Sequence, residues 1–500
     1  MSKTCKLIVK DEVNVKFEGL DPRTRSKLIN AVQYTLPHAR YTPAGRLGRW
    51  DGKVSFMTIG GSTYFHVLDK LMPVIDKEGY EITEIEDLRD QREITLSPID
   101  ENYFSDVQFA PGHHMEGQSI VLRPHQVECV NACLSNRHGL VVAATGAGKT
   151  LITAALSRKV EKYGRSIVIV PSQDLVTQTE EDYKMVGLDV GVFYGGRKEL
   201  NKTHTICTWQ SLNCLWKKTK ADDIKLGEQD IFEFINGVAC VIVDEAHTAK
   251  GEALKAVLGQ VMCHIPLRWG LTGTIPKDEV QAMQMRCNIG DVIAKVSAAE
   301  LQDNGVLSKC QVKVLQLASK LEFEDYASEL KWLVSDEKRM NYIADLIQAI
   351  SATGNTLVLV DRLEAGKAIV NRLGLPPCHF VSGSTAKKKR QDSYGMVKHA
   401  DNEIIVATYG VAAVGLNIPR IFNLVLIEPG KSFIRTIQSI GRGLRRAHDK
   451  DFVQIWDMAS TTKYSARHVR ERLTYYNDAQ YPYDRMKIPD WEKGINGDGS

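Results

Sequence analysis

The sequence lacks the features that mark membrane, secreted and disordered proteins. None of its apolar runs approaches the roughly 18 residues of a membrane span, and the first residues contain no apolar core before a small-residue cleavage site. Ten cysteines are scattered through 500 residues without the paired short spacings of a zinc site. The hydrophobic content of 43% and the charged content of 25% are typical of a folded globular chain. We therefore expect a cytoplasmic protein whose cysteines are buried, reduced thiols.

An excess of charge of one sign is also missing. Lysine and arginine number 64 and aspartate and glutamate 61, which gives a formal net charge of +3. This balance excludes a wholly polybasic protein but leaves room for a local basic surface. Residues 1–70 carry 12 basic and 6 acidic side chains, whereas residues 71–110 carry 3 and 11. Per residue, residues 1–70 are thus more basic than the rest of the chain taken together, and an acidic stretch follows them.

From about residue 120 onward, short apolar runs alternate with longer helical patterns. Continuous apolar strands between helices are typical of parallel sheets that are covered on both faces. Two such series predict an α/β fold with two tandem parallel-sheet domains, residues 111–305 and 306–500, the second ending in a helical tail. Residues 1–110 mix strand patterns with a helix from Pro22 to about Gln33, which predicts a small α+β domain. The predicted strands are Cys5–Lys10, Asn14–Phe17 and Val54–Ile59 in the small domain, Gly139–Ala143, Ser166–Val170, Thr205–Thr208, Cys240–Val243 and Trp269–Leu271 in the first sheet, and Thr356–Val360, His379–Val381, Ile404–Ala407, Leu424–Ile427 and Val453–Trp456 in the second.

A glycine-rich turn follows the apolar stretch Leu140–Ala144 and precedes a helical pattern. In such a turn the backbone N–H groups can point at phosphates, and the helix N-terminus adds partial positive charge. We expect Lys149 to hold the β- and γ-phosphates of ATP and the Thr150 hydroxyl to ligate Mg²⁺. The alternative is a Gly-Lys-Thr sequence that occurs by chance. The predicted strand before it and helix after it disfavour this alternative, because a chance sequence has no need of that context. The predicted ATP-binding residues of the turn are Thr145, Gly146, Ala147, Gly148, Lys149 and Thr150.

An acidic pair follows the predicted strand Cys240–Val243. Acidic residues at the carboxyl end of a parallel strand can face a phosphate loop in the same sheet. We expect Asp244 to bind Mg²⁺, and Glu245 to orient and deprotonate the attacking water. The alternative is an acidic strand end that faces only solvent.

With Ala246 and His247, these motifs resemble those of the superfamily 2 helicases of the DEAH type. The resemblance covers residues 120–460 and implies two RecA-like domains that hydrolyse ATP and move along nucleic acid. Leu271–Thr274 resembles the motif that couples hydrolysis to domain movement. The residues implied at the ATP site are Gln126 on adenine, Gly415 on the nucleotide, and Gln438, Arg442 and Arg445 in the arginine-finger motif. The residues implied on the nucleic-acid track are Pro171, Gln178, Thr208, Gln210, Ser382 and Thr408.

The arginines of this set make physical sense, because guanidinium charge from the second domain would stabilise the transferring γ-phosphoryl group. Arg442 and Arg445 lie three residues apart on a predicted helix, so both can point the same way. A solvated basic helix is the alternative for this segment.

The N-terminal flank narrows the resemblance. Residues 43–53, Pro-Ala-Gly-Arg-Leu-Gly-Arg-Trp-Asp-Gly-Lys, resemble the signature of phage recombination helicases of the UvsW type. Those proteins carry a small DNA-binding domain before the motor and act on branched DNA. The resemblance implies DNA contacts by Arg46, Arg49, Trp50 and Lys53, in which cations neutralise phosphates and the indole stacks a base. For Trp50, a place in a small core is the alternative.

We therefore expect an ATP-dependent DNA helicase or translocase that unwinds or branch-migrates forked and junction DNA in replication, recombination or repair. ATP and Mg²⁺ would be its cofactors, and forked, branched or single-stranded DNA its partner; no membrane partner is expected. A phage-encoded protein of this kind would act in the host cytoplasm. Both halves of the ATP site lie in one chain, so a monomer would suffice. The alternatives are an RNA helicase on the same motor, a double-strand DNA translocase subunit of a restriction or remodelling complex, and, disfavoured by the motor residues, a non-catalytic nucleic-acid-binding module.

Overall fold

The computed structural model describes residues 3–36, 39–109, 116–200, 202–224, 229–248, 255–276, 278–376, 379–383, 385, 397, 400–411, 420–430 and 449–494. Their contacts divide the chain into two compact units. The first comprises the residues up to Ala143 together with Gly148–Lys295, and the second comprises Ala144–Ala147 together with the residues from Val296 onward. Within the described ranges, we find no helix with the length and apolar character needed to cross a bilayer.

The N-terminal domain is built on a four-stranded sheet with the strand order β5-β2-β1-β6. Strand β1 pairs antiparallel with β2 and parallel with β6. Alternate residues of β1, namely Cys5, Leu7 and Val9, are buried, as the half-buried pattern predicts. The strands are β1 (Lys3–Val9), β2 (Asn14–Glu18), β5 (Ser62–Tyr64) and β6 (Tyr80–Asp87), with a separate antiparallel ribbon of β3 (Gln33–Thr35) and β4 (Lys53–Ser55) and the helices α1 (Pro22–Ala31), α2 (Pro43–Arg46) and α3 (Leu68–Lys77).

Two features of this domain could not be anticipated from its sequence. The strand predicted over Val54–Ile59 ends at Ser55, because the Ser55 hydroxyl bonds to the backbone of Met57 and turns the chain. The acidic stretch after residue 78 contributes β6, an edge strand of the sheet. The Lys6 ammonium, on the neighbouring strand, lies 2.8 Å from Glu84 Oε1 and 2.7 Å from Glu86 Oε2. Part of the N-terminal positive charge is therefore matched by these carboxylates.

The first parallel sheet has eight strands in the order β10-β9-β11-β8-β12-β13-β7-β14. Neighbouring strands from β9 to β7 are parallel, and β10 is antiparallel to β9. The strands are β7 (His138–Ala143), β8 (Arg165–Val170), β9 (Val190–Tyr194), β10 (Arg197–Lys198), β11 (His204–Thr208), β12 (Val238–Asp244), β13 (Leu267–Thr272) and β14 (Val292–Val296). The helices are α4 (Pro124–Ser135), α5 (Lys149–Val160), α6 (Gln173–Met185), α7 (Trp209–Lys220), α8 (Ile231–Ile235) and α9 (Glu279–Ile289).

The second parallel sheet has seven strands in the order β17-β18-β16-β19-β20-β15-β21, and its neighbours are parallel. After the last helix the chain returns to the sheet as β21, at its edge. The strands are β15 (Lys309–Leu317), β16 (Thr356–Val360), β17 (Phe380–Val381), β18 (Ile404–Thr408), β19 (Asn423–Ile427), β20 (Phe452–Ser460) and β21 (Tyr483–Ile488). The described helices are α10 (Ala298–Asp303), α11 (Tyr326–Ser335), α12 (Glu337–Ser351), α13 (Leu363–Arg372) and α14 (Lys463–Asp478). The predicted fold class is confirmed.

The N-terminal domain and the first sheet domain share a hydrophobic core within one compact unit. Helix α9 contributes Val280, Met283 and Cys287 to the core of the N-terminal domain. Outside this core, Arg286 Nη2 lies 2.9 Å from Asp69 Oδ2. The segment after β6 also packs on the sheet domain, where the Asn131 side chain of α4 exchanges two hydrogen bonds with the backbone of Ile99.

Candidate nucleotide site and nucleic-acid interface

The predicted phosphate turn connects β7 to α5 with a backbone that requires glycine at two positions. Gly146 has φ of +94° and Gly148 has φ of +79°, both in the left-handed region. At Gly148 the space is also closed, since a Cβ there would lie 2.2 Å from Gln126 Nε2. The helix then begins at Lys149. Ala147 is buried, and the other residues of the turn, from Thr145 to Thr150, are half-buried.

Gln126 therefore lies against the turn; its role in reading adenine stays a prediction. The side chain is buried near the start of α4, and its Oε1 accepts a hydrogen bond of 2.9 Å from the backbone N of Arg123. This bond fixes the orientation of the amide, with Nε2 directed at Gly148.

The structure brings the two predicted catalytic motifs together. Lys149 Nζ lies 3.1 Å from Glu245 Oε1, and both side chains are largely buried. Glu245 has φ of +48°, an uncommon conformation for a residue other than glycine, at the end of β12. Asp244 Oδ1 accepts a hydrogen bond of 2.8 Å from the backbone N of Glu245. The carboxyl ends of β7 and β12 thus place an ammonium and two carboxylates at one edge of the sheet.

His247 extends this arrangement to the neighbouring strand β13. Its Nδ1 lies 3.4 Å from Glu245 Oε2 and 2.8 Å from Thr272 Oγ1. The Thr272 hydroxyl donates to Thr274 O at 2.8 Å, so its oxygen accepts from His247, which requires the proton on Nδ1. His247 and Thr272 belong to motifs visible in the sequence, but only the adjacency of β12 and β13 shows that the two side chains meet.

The donor set suits Mg²⁺. The Thr150 hydroxyl and the Asp244 carboxylate are hard oxygen ligands, which Mg²⁺ prefers together with water and phosphate oxygens. Thr150 follows Lys149 on α5, and Asp244 precedes Glu245 at the end of β12. Both possible ligands are therefore next in sequence to a residue of the Lys149–Glu245 pair.

A second group with ligand-capable atoms lies where the N-terminal domain meets the first sheet domain. Asp11, Cys263 and His264 place these atoms within 4.8 Å of one another. Asp11 Oδ1, however, already accepts hydrogen bonds from Val13 N and Asn14 N, at 2.8 and 2.7 Å. Burial raises the pKa of the Cys263 thiol to about 12, so the sulfur stays protonated at neutral pH. These observations favour a structural role for the group.

The predicted nucleic-acid contacts of the first sheet domain lie at the ends of adjacent strands. Thr208 is in register with Val170 at the ends of β11 and β8, and Pro171 follows directly. Thr208 caps α7, its Oγ1 accepting from Ser211 N at 3.4 Å, and the exposed Gln210 donates to Pro171 O at 3.5 Å. Pro171, Thr208 and Gln210 are therefore neighbours, whereas Gln178 lies further along α6 and is half-buried.

In the second sheet domain, the two predicted nucleic-acid contact residues that the structure describes also lie at strand ends. Ser382 follows β17, and Thr408 ends the adjacent strand β18. Ser382 is buried, and its backbone N donates to Thr385 Oγ1 at 3.0 Å; Thr408 is half-buried. Gly415, Gln438, Arg442 and Arg445 lie outside the described residues.

The residues that lead into the predicted arginine-finger segment are anchored by a buried polar network. Glu428, directly after β19, lies 2.7 Å from Arg339 Nη2 and accepts a hydrogen bond of 2.9 Å from Ser465 Oγ. The Gly430 carbonyl accepts from Arg472 Nη1 at 2.8 Å. Arg472 also forms a bidentate pair with the buried Asp457. Arg339 and Glu428 could not be singled out from the sequence, because isolated charged residues on separate elements form no motif.

The arm between β3 and β4 presents basic and apolar side chains to solvent. Tyr41 is 57% exposed and Leu47 64% exposed, and Arg46, Arg49 and Lys53 are exposed as well. The Arg40 guanidinium lies over the Tyr41 ring, 4.9 Å from its centroid. Trp50 is half-buried outside the hydrophobic core of the N-terminal domain, and its Nε1 donates to Lys53 O at 3.0 Å. Its contact with DNA stays a prediction.

Two histidines meet at the junction between the N-terminal domain and β7. His66 Nε2 lies 3.0 Å from His138 Nδ1, and His138 Nε2 lies 3.3 Å from the buried Glu12 Oε2. Burial, reinforced by the neighbouring His138 and by the arginines Arg268 and Arg286, lowers the pKa of His66 to about 3. Burial also lowers the pKa of His138, although Glu12 opposes this shift. Both rings are accordingly neutral in the folded protein at neutral pH.

Comparison with known proteins gives matches on both sheet domains. The family model described as "Type III restriction enzyme, res subunit" matches residues 119–277, and that described as "Helicase conserved C-terminal domain" matches residues 338–447. The "ATP-dependent DNA helicase uvsW" of Enterobacteria phage T4 is 24% identical over 486 residues, covering 89% of this chain and 91% of the relative. The "DNA 3'-5' helicase XPB" of Kineococcus radiotolerans is 23% identical over 388 residues, covering 75% and 66%.

Among solved structures, the fragment of a putative HsdR subunit of a type I restriction enzyme from Vibrio vulnificus has the same fold. Its TM-score is 0.56 at 16% identity, and the match covers 96% of this chain and 85% of that one.

Proposed function

This chain belongs to the superfamily 2 helicases, as its motifs predicted, and from that premise we propose that it unwinds or branch-migrates forked and junction DNA in replication, recombination or repair. Its two parallel-sheet domains are RecA-like domains, and it is an ATP-driven enzyme. The observation that carries the proposal for branched DNA is the solvent-exposed arm between β3 and β4, which lies outside both parallel sheets.

In the proposed hydrolysis, each described side chain at the sheet edge has one task. Lys149 releases Glu245 and turns to the β- and γ-phosphates of ATP, since it is the first residue of the helix that follows the turn. Glu245 then accepts the proton of the attacking water. Mg²⁺, held by Thr150 and Asp244, would neutralise phosphate charge. Arg442 and Arg445 would supply guanidinium charge to the γ-phosphoryl group.

The arm offers two kinds of contact to a DNA junction. Arg46, Arg49 and Lys53 can neutralise phosphates, which accounts for affinity but not for sequence preference. The exposed side chains of Tyr41 and Leu47 can pack on bases that are unstacked where the duplex opens. Paired bases inside an intact duplex offer no such faces, so the arm favours branched over continuous duplex DNA.

The catalytic part of the proposal is tested with Lys149→Ala. This variant should abolish ATP hydrolysis, measured as phosphate release, because the transferring phosphoryl group loses its cation. Affinity for forked DNA, measured by fluorescence anisotropy, should stay close to that of the unmodified protein. ATP turnover near the original rate would contradict the assignment of the motor.

The substrate part is tested with the double variant Arg46→Ala/Arg49→Ala. ATPase stimulation and strand products are compared on single strands, blunt duplex, forked duplex and a four-way junction, with a forked RNA as a fifth substrate. We expect a loss of affinity for fork and junction that grows as salt is lowered, because two phosphate contacts are removed. Arg23→Ala, at an exposed position on α1 of the same domain, is the matched control. Equal affinity of all three proteins for forks would remove the role of the arm, and stronger stimulation by RNA would favour an RNA helicase.

A further inference from the structure

A cavity of about 820 Å³ opens in the first sheet domain beside the predicted nucleic-acid contacts. It lies between the first turn of α6, the length of α7, and the strands β9 and β10. Its volume falls within the roughly 300–1,000 Å³ that is usual for small-molecule sites. Neither the ATP-binding turn nor the acidic pair contributes to its lining.

The floor of the cavity is apolar and partly aromatic. Phe193 of β9 and Phe234 of α8 pack against each other with ring centroids 5.2 Å apart, and both belong to the core of the domain. Leu200 and Leu215, which are half-buried, line the wall. Such a surface matches the flat, apolar face of an aromatic ring system.

The rim carries amides and cations. Gln173 and Gln210 are exposed and line the cavity from the first turns of α6 and α7; each amide can both donate to and accept from a base edge. Lys198 and Lys218 stand on the β10 and α7 sides and add positive charge. This arrangement matches a nucleotide: the apolar floor suits the face of the base, the amides suit its polar edge, and the ammonium groups suit the phosphates.

The cavity is continuous with the predicted track. The cavity is lined by Ser172, Thr208 and Gln210. These residues lie at or just after the ends of β8 and β11, where the nucleic-acid backbone is proposed to pass. We propose that the cavity receives an unstacked nucleobase of the single strand held by the motor, while Lys198 and Lys218 contact the flanking phosphates. This inference rests on the proposed nucleic-acid function.

Cys214 provides a direct probe of the cavity. It lies on α7 within the lining and is exposed, whereas the other eight cysteines of the described ranges are buried. Alkylation by N-ethylmaleimide, read out for the Cys214 peptide by mass spectrometry, therefore reports access to the site. We expect bound oligo-dT to slow the modification several-fold. An abasic oligonucleotide of the same length, at a concentration giving equal occupancy by anisotropy, should leave the modification rate unchanged, because it has phosphates but no bases.

A cavity-filling variant gives the second measurement. Cys214→Trp should weaken oligo-dT binding about tenfold, a size consistent with the loss of one stacked base, and should leave the affinity for the abasic strand unchanged. Cys214→Ser is the matched control and should bind both strands as the original protein does. Equal protection by the two strands, or equal weakening of both by the tryptophan, would overturn the nucleobase pocket. Absence of binding by either strand to the original protein would instead overturn the proposed function.

Discussion

Replacing Arg472 with methionine should destabilise the second sheet domain strongly. Neither Arg472 nor Asp457 has exposed side-chain area, and two guanidinium nitrogens lie 2.8 and 2.7 Å from the two oxygens of Asp457. The third nitrogen donates to the Gly430 carbonyl. The substitution leaves a buried carboxylate without its counter-charge, although the Tyr476 hydroxyl still donates to Asp457 at 2.8 Å.

The expected size follows from the burial. Removing one partner of a buried ion pair costs about 3–5 kcal/mol, because the remaining charge stays desolvated. Domains are typically stable by only about 5–15 kcal/mol, so the loss is a large fraction of the total. For a domain of this size each kcal/mol corresponds to about 2–4 °C, which predicts a fall in Tm of about 6–20 °C.

Differential scanning calorimetry of the full chain measures this fall, and two further variants test its cause. Arg472→Lys retains the charge but not the two-pronged geometry, so it should lie between the original protein and Arg472→Met. Adding Asp457→Leu to Arg472→Met removes the stranded carboxylate and should recover part of the loss. A fall in Tm below about 2 °C, or a double variant no more stable than the single one, would refute the buried-pair reasoning.

Two more predictions concern catalysis and pH. Glu245→Gln should lower kcat for ATP hydrolysis about 10²–10⁴-fold, the usual contribution of a general base, while a fluorescent ATP analogue still binds; an unchanged kcat would exclude Glu245 as the base. Stability should fall on acidification, because folding lowers the pKa of His66 to about 3, while the unfolded chain takes up the proton below about pH 6.5. One such histidine contributes a slope of about 1.4 kcal/mol per pH unit between these values. Urea unfolding at pH 7 and pH 5 measures it, and His66→Gln should show a shallower dependence; equal slopes would contradict this assignment.

The sequence predicted the strands of the parallel sheets best where they are buried on both faces. Ser166–Val170 and Thr356–Val360 agree with β8 and β16 to within one residue, because both are continuous apolar runs. Strand β15 was missed, since its nine residues alternate lysine and glutamine with apolar positions although it lies inside the sheet. Strand β6 was hidden by its glutamates, whose partner Lys6 lies more than 70 residues away.

For the candidate site, local motifs predicted local geometry and the rest required the fold. The approach of Lys149 to Glu245 could be anticipated, because parallel strands place their carboxyl ends at one edge. The position of Gln126 against Gly148 could be expected only from the family resemblance. Gln126 lies on α4, which precedes the sheet, and no local pattern in the sequence shows where this helix packs. The solvent exposure of the arm could not be predicted from the sequence. Composition does not show which side chains of the arm pack into the core of the N-terminal domain and which face solvent.

The shared core between the N-terminal domain and α9 decides how the arm can be tested. Val280, Met283 and Cys287 are buried against N-terminal residues, so deletion of residues 1–110 would expose apolar surface on the motor itself. Burial of apolar surface is the main driving force of folding, at about 25 cal/mol per Å², and a truncated chain could therefore lose DNA binding by losing the structure of α9. Substitutions at exposed positions such as Arg46 leave this core intact, and their effects on fork binding can be assigned to the arm. The same packing ties the arm to the domain that carries Lys149, because close-packed cores move as units and do not deform continuously.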